Sequence, residues 1–319
     1  MKIVILDSNT LGNDLDLGVF NELGEVEVYG FTAKEQVIDR IKDVDVIITN
    51  KVVLNESNLQ YAANLKLICL TATGTNNVDK NYTNSSNIVV SNVVGYSTDS
   101  VAQHTFAILF YLYEKLSYYD KYVKSGEYVN DEIFTHFDRK FNELVGKTWG
   151  IVGLGNIGKK VASIAKAFGC NIIYYSTSGK NNNAEYERVD IDTLLSSSDI
   201  ISIHAPLNKD TDNLFTYDII KKMKKSAVLL NLGRGKIINE EDLTKALEED
   251  IIAGAGLDVL EYEPINEDNP LLKIQDSTKL LVTPHIAWAS IEARNRVVRE
   301  VKENIISFQE GSPRNVVVK

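Results

Sequence analysis

Arg234, Glu263 and His285 stand far apart in this 319-residue chain, each in a short distinctive context: Asn231-Leu232-Gly233-Arg234-Gly235, Glu261-Tyr262-Glu263-Pro264 and Thr283-Pro284-His285-Ile286. A guanidinium can fix a carboxylate or a carbonyl oxygen, an imidazole can pass a proton at neutral pH, and a carboxylate can orient that imidazole and hold its charge. The three together suit reduction of a 2-oxo acid. Taken alone each has a plainer use: His285 could end a strand, Arg234 could be a surface charge, and Glu261 competes with Glu263.

Such chemistry needs a hydride source. Residues 147–152, Lys-Thr-Trp-Gly-Ile-Val, read as a buried strand running into Gly153-Leu154-Gly155-Asn156-Ile157-Gly158 and then a helix that reaches Phe168 and closes at Gly169. Strand, glycine turn and helix make a dinucleotide site: Gly153 permits the turn, Gly155 lets a pyrophosphate approach the backbone, and Gly158 lets the helix pack on the strand. The N–H groups of Asn156 and Ile157 at the helix N-terminus would face the phosphates.

Composition is ordinary for a soluble globular protein of two domains, with 44% hydrophobic and 24% charged residues. A net charge of −10 and the lack of a basic stripe argue against a nucleic-acid partner. Cys69 and Cys170 read as buried thiols of a reducing cytosol, and no metal-ligand spacing is visible. The N-terminus reads as a first strand rather than a signal peptide, and the apolar run 106–113 is too short to span a membrane, so a cytoplasmic protein is expected.

Apolar runs at 3–6, 26–29, 44–48, 65–70 and 88–90 alternate with helix-period segments, which implies a small parallel doubly wound domain. A second series runs through 147–152, 171–175, 200–204, 227–231, 254–258 and 280–282. A helix is expected from 98 to about 119 and another over 290–308. The aromatic-rich stretch 118–141 breaks helix periodicity and fits a self-packed loop or a partner-facing arm. His104 reads as a packing residue, and His136 has no partner visible in sequence.

These motifs, with Ala72-Thr73-Gly74-Thr75-Asn76-Asn77-Val78-Asp79, Gly95-Tyr96-Ser97-Thr98-Asp99-Ser100-Val101-Ala102, His204-Ala205-Pro206-Leu207, Gly256-Leu257-Asp258-Val259 and Thr283 to Ser290, occur in one order along the chain. In this the chain resembles the D-isomer-specific 2-hydroxyacid dehydrogenase family, on the glycerate dehydrogenase or hydroxypyruvate (glyoxylate) reductase side. The resemblance implies an α/β fold of two doubly wound domains: a flavodoxin-like substrate domain from 1–96 plus 290–319, and a Rossmann NAD(P)-binding domain over 97–289. It also implies a ligand crevice between them, a homodimer, and Arg234, Glu263 and His285 as the catalytic set. The Glu-Pro pair favours Glu263 over Glu261.

The resemblance further implies that Thr73 and Gly74 N–H groups bind the substrate carboxylate and that Trp288 borders a pocket for small 2-oxo acids. It places Asp258 beside the nicotinamide amide. His204, Ala205 and Pro206, and Leu232 with Gly233, are expected to line the cofactor. Lys51, a positive charge after the third strand, is a second candidate for the carboxylate. A nucleotide-sensing, corepressor-like protein of the same fold is the alternative reading, disfavoured because the chain holds almost nothing beyond the two domains.

Cofactor choice departs from the simplest NAD pattern. An NAD site commonly places Asp or Glu about 20 residues after the first glycine, where it binds the ribose 2′-hydroxyl. Here the strand ends Tyr174-Tyr175-Ser176-Thr177-Ser178-Gly179-Lys180, with neither acid nor arginine. The hydroxyls of Ser176, Thr177 and Ser178 could bond a 2′-phosphate and Lys180 could neutralise part of its charge. Use of NADH and NADPH, with a lean to NADPH, is expected.

Overall fold

The computed structural model describes residues 1–318, and its chain divides into two compact units, Met1–Ser97 with Ala289–Lys319, and Thr98–Trp288. Unit 1 carries strands β1 (Lys2–Ile5), β2 (Glu25–Val28), β3 (Val46–Thr49), β4 (Leu67–Leu70) and β5 (Val89–Ser91). Unit 2 carries β6 (Thr148–Val152), β7 (Asn171–Tyr175), β8 (Glu187–Arg188), β9 (Ile200–Ile203), β10 (Val228–Asn231), β11 (Gly254–Leu257) and β12 (Leu280–Val282). The chain then returns to unit 1 for β13 (Val316–Val318).

The unit 1 sheet has the order β13-β5-β4-β3-β1-β2, and all pairs are parallel except β13 with β5. Both β3 and β4 are buried along their whole length, as the continuous apolar runs demand of strands covered on both faces. The antiparallel β13 was not expected from the sequence. Three valines give too short a run to distinguish a strand from a tail.

Unit 2 is a parallel sheet ordered β12-β11-β10-β9-β6-β7-β8. Strand order reverses between β6 and β9, and in open sheets of this kind ligands bind beyond the C-terminal strand ends at such a reversal. The core behind it includes Trp149 and Tyr174, both fully buried. Burying one large apolar side chain contributes about 1.5–3 kcal/mol, so these anchors hold β6 and β7 firmly beneath the glycine turn.

Among the described residues, five helices are longer than eight residues: α1 (Thr98–Tyr113), α2 (Leu116–Lys124), α3 (Asn156–Ala167), α4 (Glu240–Glu248) and α5 (Ile291–Gln309). The single helix expected over 98–119 is two, because Lys115 adopts a left-handed conformation (φ 57°) and turns the chain between α1 and α2. The Lys115 ammonium then donates to the Thr278 carbonyl at 3.0 Å. Ser290 caps α5 by accepting the Ala293 N–H.

Candidate active site

In unit 2, Arg234, Glu263 and His285 all lie beyond the C-terminal ends of adjacent strands, in the loops after β10, β11 and β12. His285 Nδ1 is 2.7 Å from Glu263 Oε2. The other carboxylate oxygen of Glu263 accepts the Leu260 backbone N–H at 3.0 Å, which fixes the acid on its own turn. A carboxylate at Nδ1 keeps the proton on that nitrogen and leaves Nε2 for a reacting oxygen. Both side chains are about one-third exposed, open enough to meet a small ligand.

The backbone of His285 is left-handed at φ 54°, a conformation that costs a non-glycine residue about 1–2 kcal/mol. Asp258 offsets it. The Asp258 carbonyl accepts the His285 N–H at 2.9 Å, and its buried carboxylate accepts the Thr283 hydroxyl at 2.6 Å and the N–H groups of Ile286 and Ala287, each at 2.9 Å. Asp258 therefore shapes the loop that presents the imidazole. His104 joins this network, with Nε2 3.1 Å from Thr283 Oγ1 and 3.6 Å from Asp258 Oδ1, so it does more than pack.

Arg234 is held by its backbone: its carbonyl accepts from the Asn231 side chain at 2.9 Å, and its Nη1 donates to the Gly233 carbonyl at 2.7 Å. It forms no ion pair among the described residues, so its charge remains available to an anion. Gly235 touches the Glu263 turn so closely that a Cβ there would sit 1.9 Å from the Leu260 carbonyl carbon. The same turn is tied from below by Glu240 of α4, whose buried carboxylate accepts the Glu261 N–H at 2.7 Å and the Asn269 amide at 2.6 Å. Glu261 itself lies 3.7 Å from Lys236. That leaves Glu263 as the carboxylate on the imidazole.

The residues around the glycine turn fit a dinucleotide. Gly153 has φ 91°, and a Cβ there would meet the Ala205 backbone at 2.8 Å. Gly155 is the N-cap of α3, with open space around it and no side chain capping the helix, so the first-turn N–H groups of Asn156, Ile157 and Gly158 point to an anion. Ala205 and Gly233 approach each other closely, since a Cβ on Gly233 would meet the Ala205 carbonyl oxygen at 2.9 Å. Leu232 is buried, and the Pro206 carbonyl accepts the Thr211 hydroxyl.

His204 follows β9, with its ring beside Ser202 of the same strand. The Trp149 indole N–H donates to Ser202 Oγ at 2.9 Å, so the Ser202 proton is free for His204 Nε2 at 3.1 Å. The other ring nitrogen, Nδ1, is buried and has no hydrogen-bond partner among the described residues. Burial pushes the His204 pKa down to about 3, so the ring is neutral at physiological pH.

At the end of β7, Ser176 is buried and its hydroxyl accepts the Asn181 N–H at 3.3 Å, while Thr177 is half-buried and Ser178 and Lys180 are exposed. Trp288 packs against the unit 2 core. In unit 1, the Asp7 carboxylate accepts the N–H groups of Asn50 and Lys51, which positions Lys51 just after β3. Thr73 donates its hydroxyl to Val93 and its carbonyl accepts the Asn92 amide. Neither the Thr73 nor the Gly74 N–H has an acceptor among the described residues, as a carboxylate cradle requires.

Comparison with known proteins agrees with this geometry. Residues 106–287 match the family model for the D-isomer specific 2-hydroxyacid dehydrogenase NAD binding domain. The chain is 38% identical to hydroxypyruvate reductase of Blautia hydrogenotrophica over all of both proteins, and 35% identical to glycerate dehydrogenase of Methylorubrum extorquens over 99% of this chain and 98% of that one. Among solved structures it resembles an acyclic imino acid reductase in complex with NADPH and D-Arg, at TM-score 0.88 and 34% identity with both chains fully covered. The D-lactate dehydrogenase of Aquifex aeolicus complexed with NAD and lactic acid gives TM-score 0.85 at 25% identity, covering 100% of this chain and 99% of that one.

The fold and site thus define a nicotinamide-dependent oxidoreductase. The chain belongs to the D-isomer specific 2-hydroxyacid dehydrogenase family. No helix among the described residues is long and apolar enough to cross a membrane, and no group of three or more acidic, His or Cys side chains among them could hold a metal ion.

Proposed function

We propose that the protein reduces a small 2-oxo acid of the hydroxypyruvate or glyoxylate kind to the D-2-hydroxy acid. The observation that carries this reading is the 2.7 Å contact between His285 and Glu263 on the sheet that also bears the glycine cradle. Reduced nicotinamide, when bound, supplies hydride to the keto carbon. His285, carrying a proton on both ring nitrogens, gives the Nε2 proton to the developing alkoxide and is left neutral, with its Nδ1 proton still held by Glu263. In oxidation the same nitrogen takes the proton back.

Arg234 supplies a planar fork for the substrate carboxylate or its carbonyl oxygen. The N–H groups of Thr73 and Gly74 and the Lys51 ammonium are further contacts for the carboxylate, and Trp288 limits the size of the acid. His204 Nδ1, Asp258, Leu232 and Gly233 serve the nicotinamide end of the cofactor. Glycines 153, 155 and 158 with Asn156 and Ile157 serve its phosphates.

Both NADH and NADPH are used, with a lean to NADPH. Support comes from the end of β7, which offers Thr177, Ser178 and Lys180 and no acid to repel a 2′-phosphate. A homodimer is part of the reading: the 127–145 arm exposes Val129 at 84%, Phe134 at 90% and Phe137 at 70%, an apolar surface that a second copy would cover. Cys69 and Cys170 are free buried thiols, which suits a reducing cytoplasm.

The test is oxidation of NADH and NADPH by the purified protein with hydroxypyruvate, glyoxylate and pyruvate, each with and without ammonium. Turnover without ammonium is expected. Turnover only when an imine can form would move the substrate class to imino acids, and cofactor binding without turnover on any acid would remove the enzymatic reading.

A further inference from the structure

Strand β8 places an arginine where the sequence shows none. Its two residues pair in parallel with β7, Ile173 opposite Glu187 and Tyr174 opposite Arg188. Between the strands the chain folds back over the end of β7. The Gly179 N–H donates to the Ser176 carbonyl at 3.1 Å, the Tyr174 hydroxyl donates to the Asn181 carbonyl and accepts the Asn183 N–H, and the Asn181 side chain donates to Leu154 of the glycine turn at 2.6 Å. These bonds hold the polar loop against both the glycine turn and β7.

Arg188 is exposed and lies along that loop. Its Nη1 donates to the Asn182 side chain at 3.1 Å, and its Nη2 is 3.7 Å from the position a Cβ on Gly179 would take. The guanidinium therefore flanks the Ser176–Gly179 turn. Neither Arg188 nor Lys180 enters an ion pair among the described residues, whereas Glu185 nearby is taken by Lys166 at 3.2 Å. Two unpaired cations and the Thr177 and Ser178 hydroxyls thus gather at the strand end that faces the adenosine ribose in dinucleotide folds.

We infer that Arg188 is the residue that selects the phosphorylated cofactor, its fork closing on a ribose 2′-phosphate over the Ser176–Gly179 turn. The inference rests on the reading that NADPH is favoured and names the group responsible. A guanidinium matches a phosphate with two parallel donors, which an ammonium on a flexible stem cannot, so Arg188 outweighs Lys180.

The experiment is calorimetric binding of NADP+ and NAD+ to the wild type and to Arg188→Ala, Arg188→Lys and Arg188→Glu, with thermal unfolding to verify the fold of each. Arg188→Ala is expected to weaken NADP+ binding about tenfold or more while NAD+ stays within about twofold, the scale of losing hydrogen bonds to a charged group. Arg188→Lys should recover part of the loss, and Arg188→Glu should reverse the preference. Added salt should lower wild-type affinity for NADP+ more steeply than for NAD+.

Equal loss for both cofactors would make Arg188 a support of the loop and overturn the inference. No loss in a wild type that still favours NADP+ would remove Arg188 and leave the cofactor reading standing. A wild type that favours NAD+ and ignores the substitution would remove both.

Discussion

Glu263 grips His285 with one carboxylate oxygen, at 2.7 Å from Nδ1, and its own turn with the other, at 3.0 Å from the Leu260 nitrogen. The acid is thus a fixed post for the imidazole. His285→Gln should retain cofactor binding while lowering turnover about 10² to 10⁴-fold, the usual cost of losing a general acid/base. Glu263→Gln should keep much of the geometry and lower kcat about tenfold, because a neutral amide holds the Nδ1 proton more weakly than a carboxylate does. Near-normal turnover in either variant would contradict these roles.

Arg234 keeps its planar guanidinium clear of any ion pair among the described residues, with one nitrogen on the Gly233 carbonyl, so lysine should replace it poorly. Arg234→Lys is expected to lower kcat/KM by about tenfold or more on every accepted 2-oxo acid, a point charge lacking the second parallel donor. Steady-state kinetics across the substrate panel checks this, and wild-type efficiency would end the fork argument.

Gly235 has no room for a methyl group beside Leu260. Gly235→Ala should destabilise the protein by about 1–3 kcal/mol through overpacking and reduce turnover by displacing the Glu263 turn. Thermal unfolding and kcat measured together test it. Loss of stability with full activity would show that the strain is relieved away from Glu263.

Burial lowers the His204 pKa from 6.5 to about 3, so between those values the unfolded chain takes up a proton that the folded one refuses. Stability from the neutral ring is complete above pH 6.5 and is lost as pH falls towards 3. Unfolding midpoints should therefore fall less steeply from pH 7 to 4 in His204→Asn than in the wild type. Parallel slopes would mean that the ring is hydrated.

Much of this was legible in sequence because it depends on local pattern. Buried parallel strands read as apolar runs, and the turn after β6 reads from Gly153, Gly155 and Gly158. What escaped depends on pairing or on backbone donors. Arg188 lies across a polar loop from β7 on a strand of two residues, too short for any periodicity. The wrap of Asp258 around the His285 loop uses mainly backbone N–H groups, which every residue but proline has, and the run of contacts from Trp149 through Ser202 to His204 joins residues that form no motif. The break at Lys115 left no signal because lysine is a good helix former.

Every contact that sets His285, from Glu263, Asp258 and Thr283, comes from Thr98–Trp288, the unit that also bears the glycine turn. Lys51, Thr73 and Gly74 come from the other. Inheritance can therefore treat the two separately: loops of unit 1 can be traded while the loop geometry that holds His285 passes on unedited.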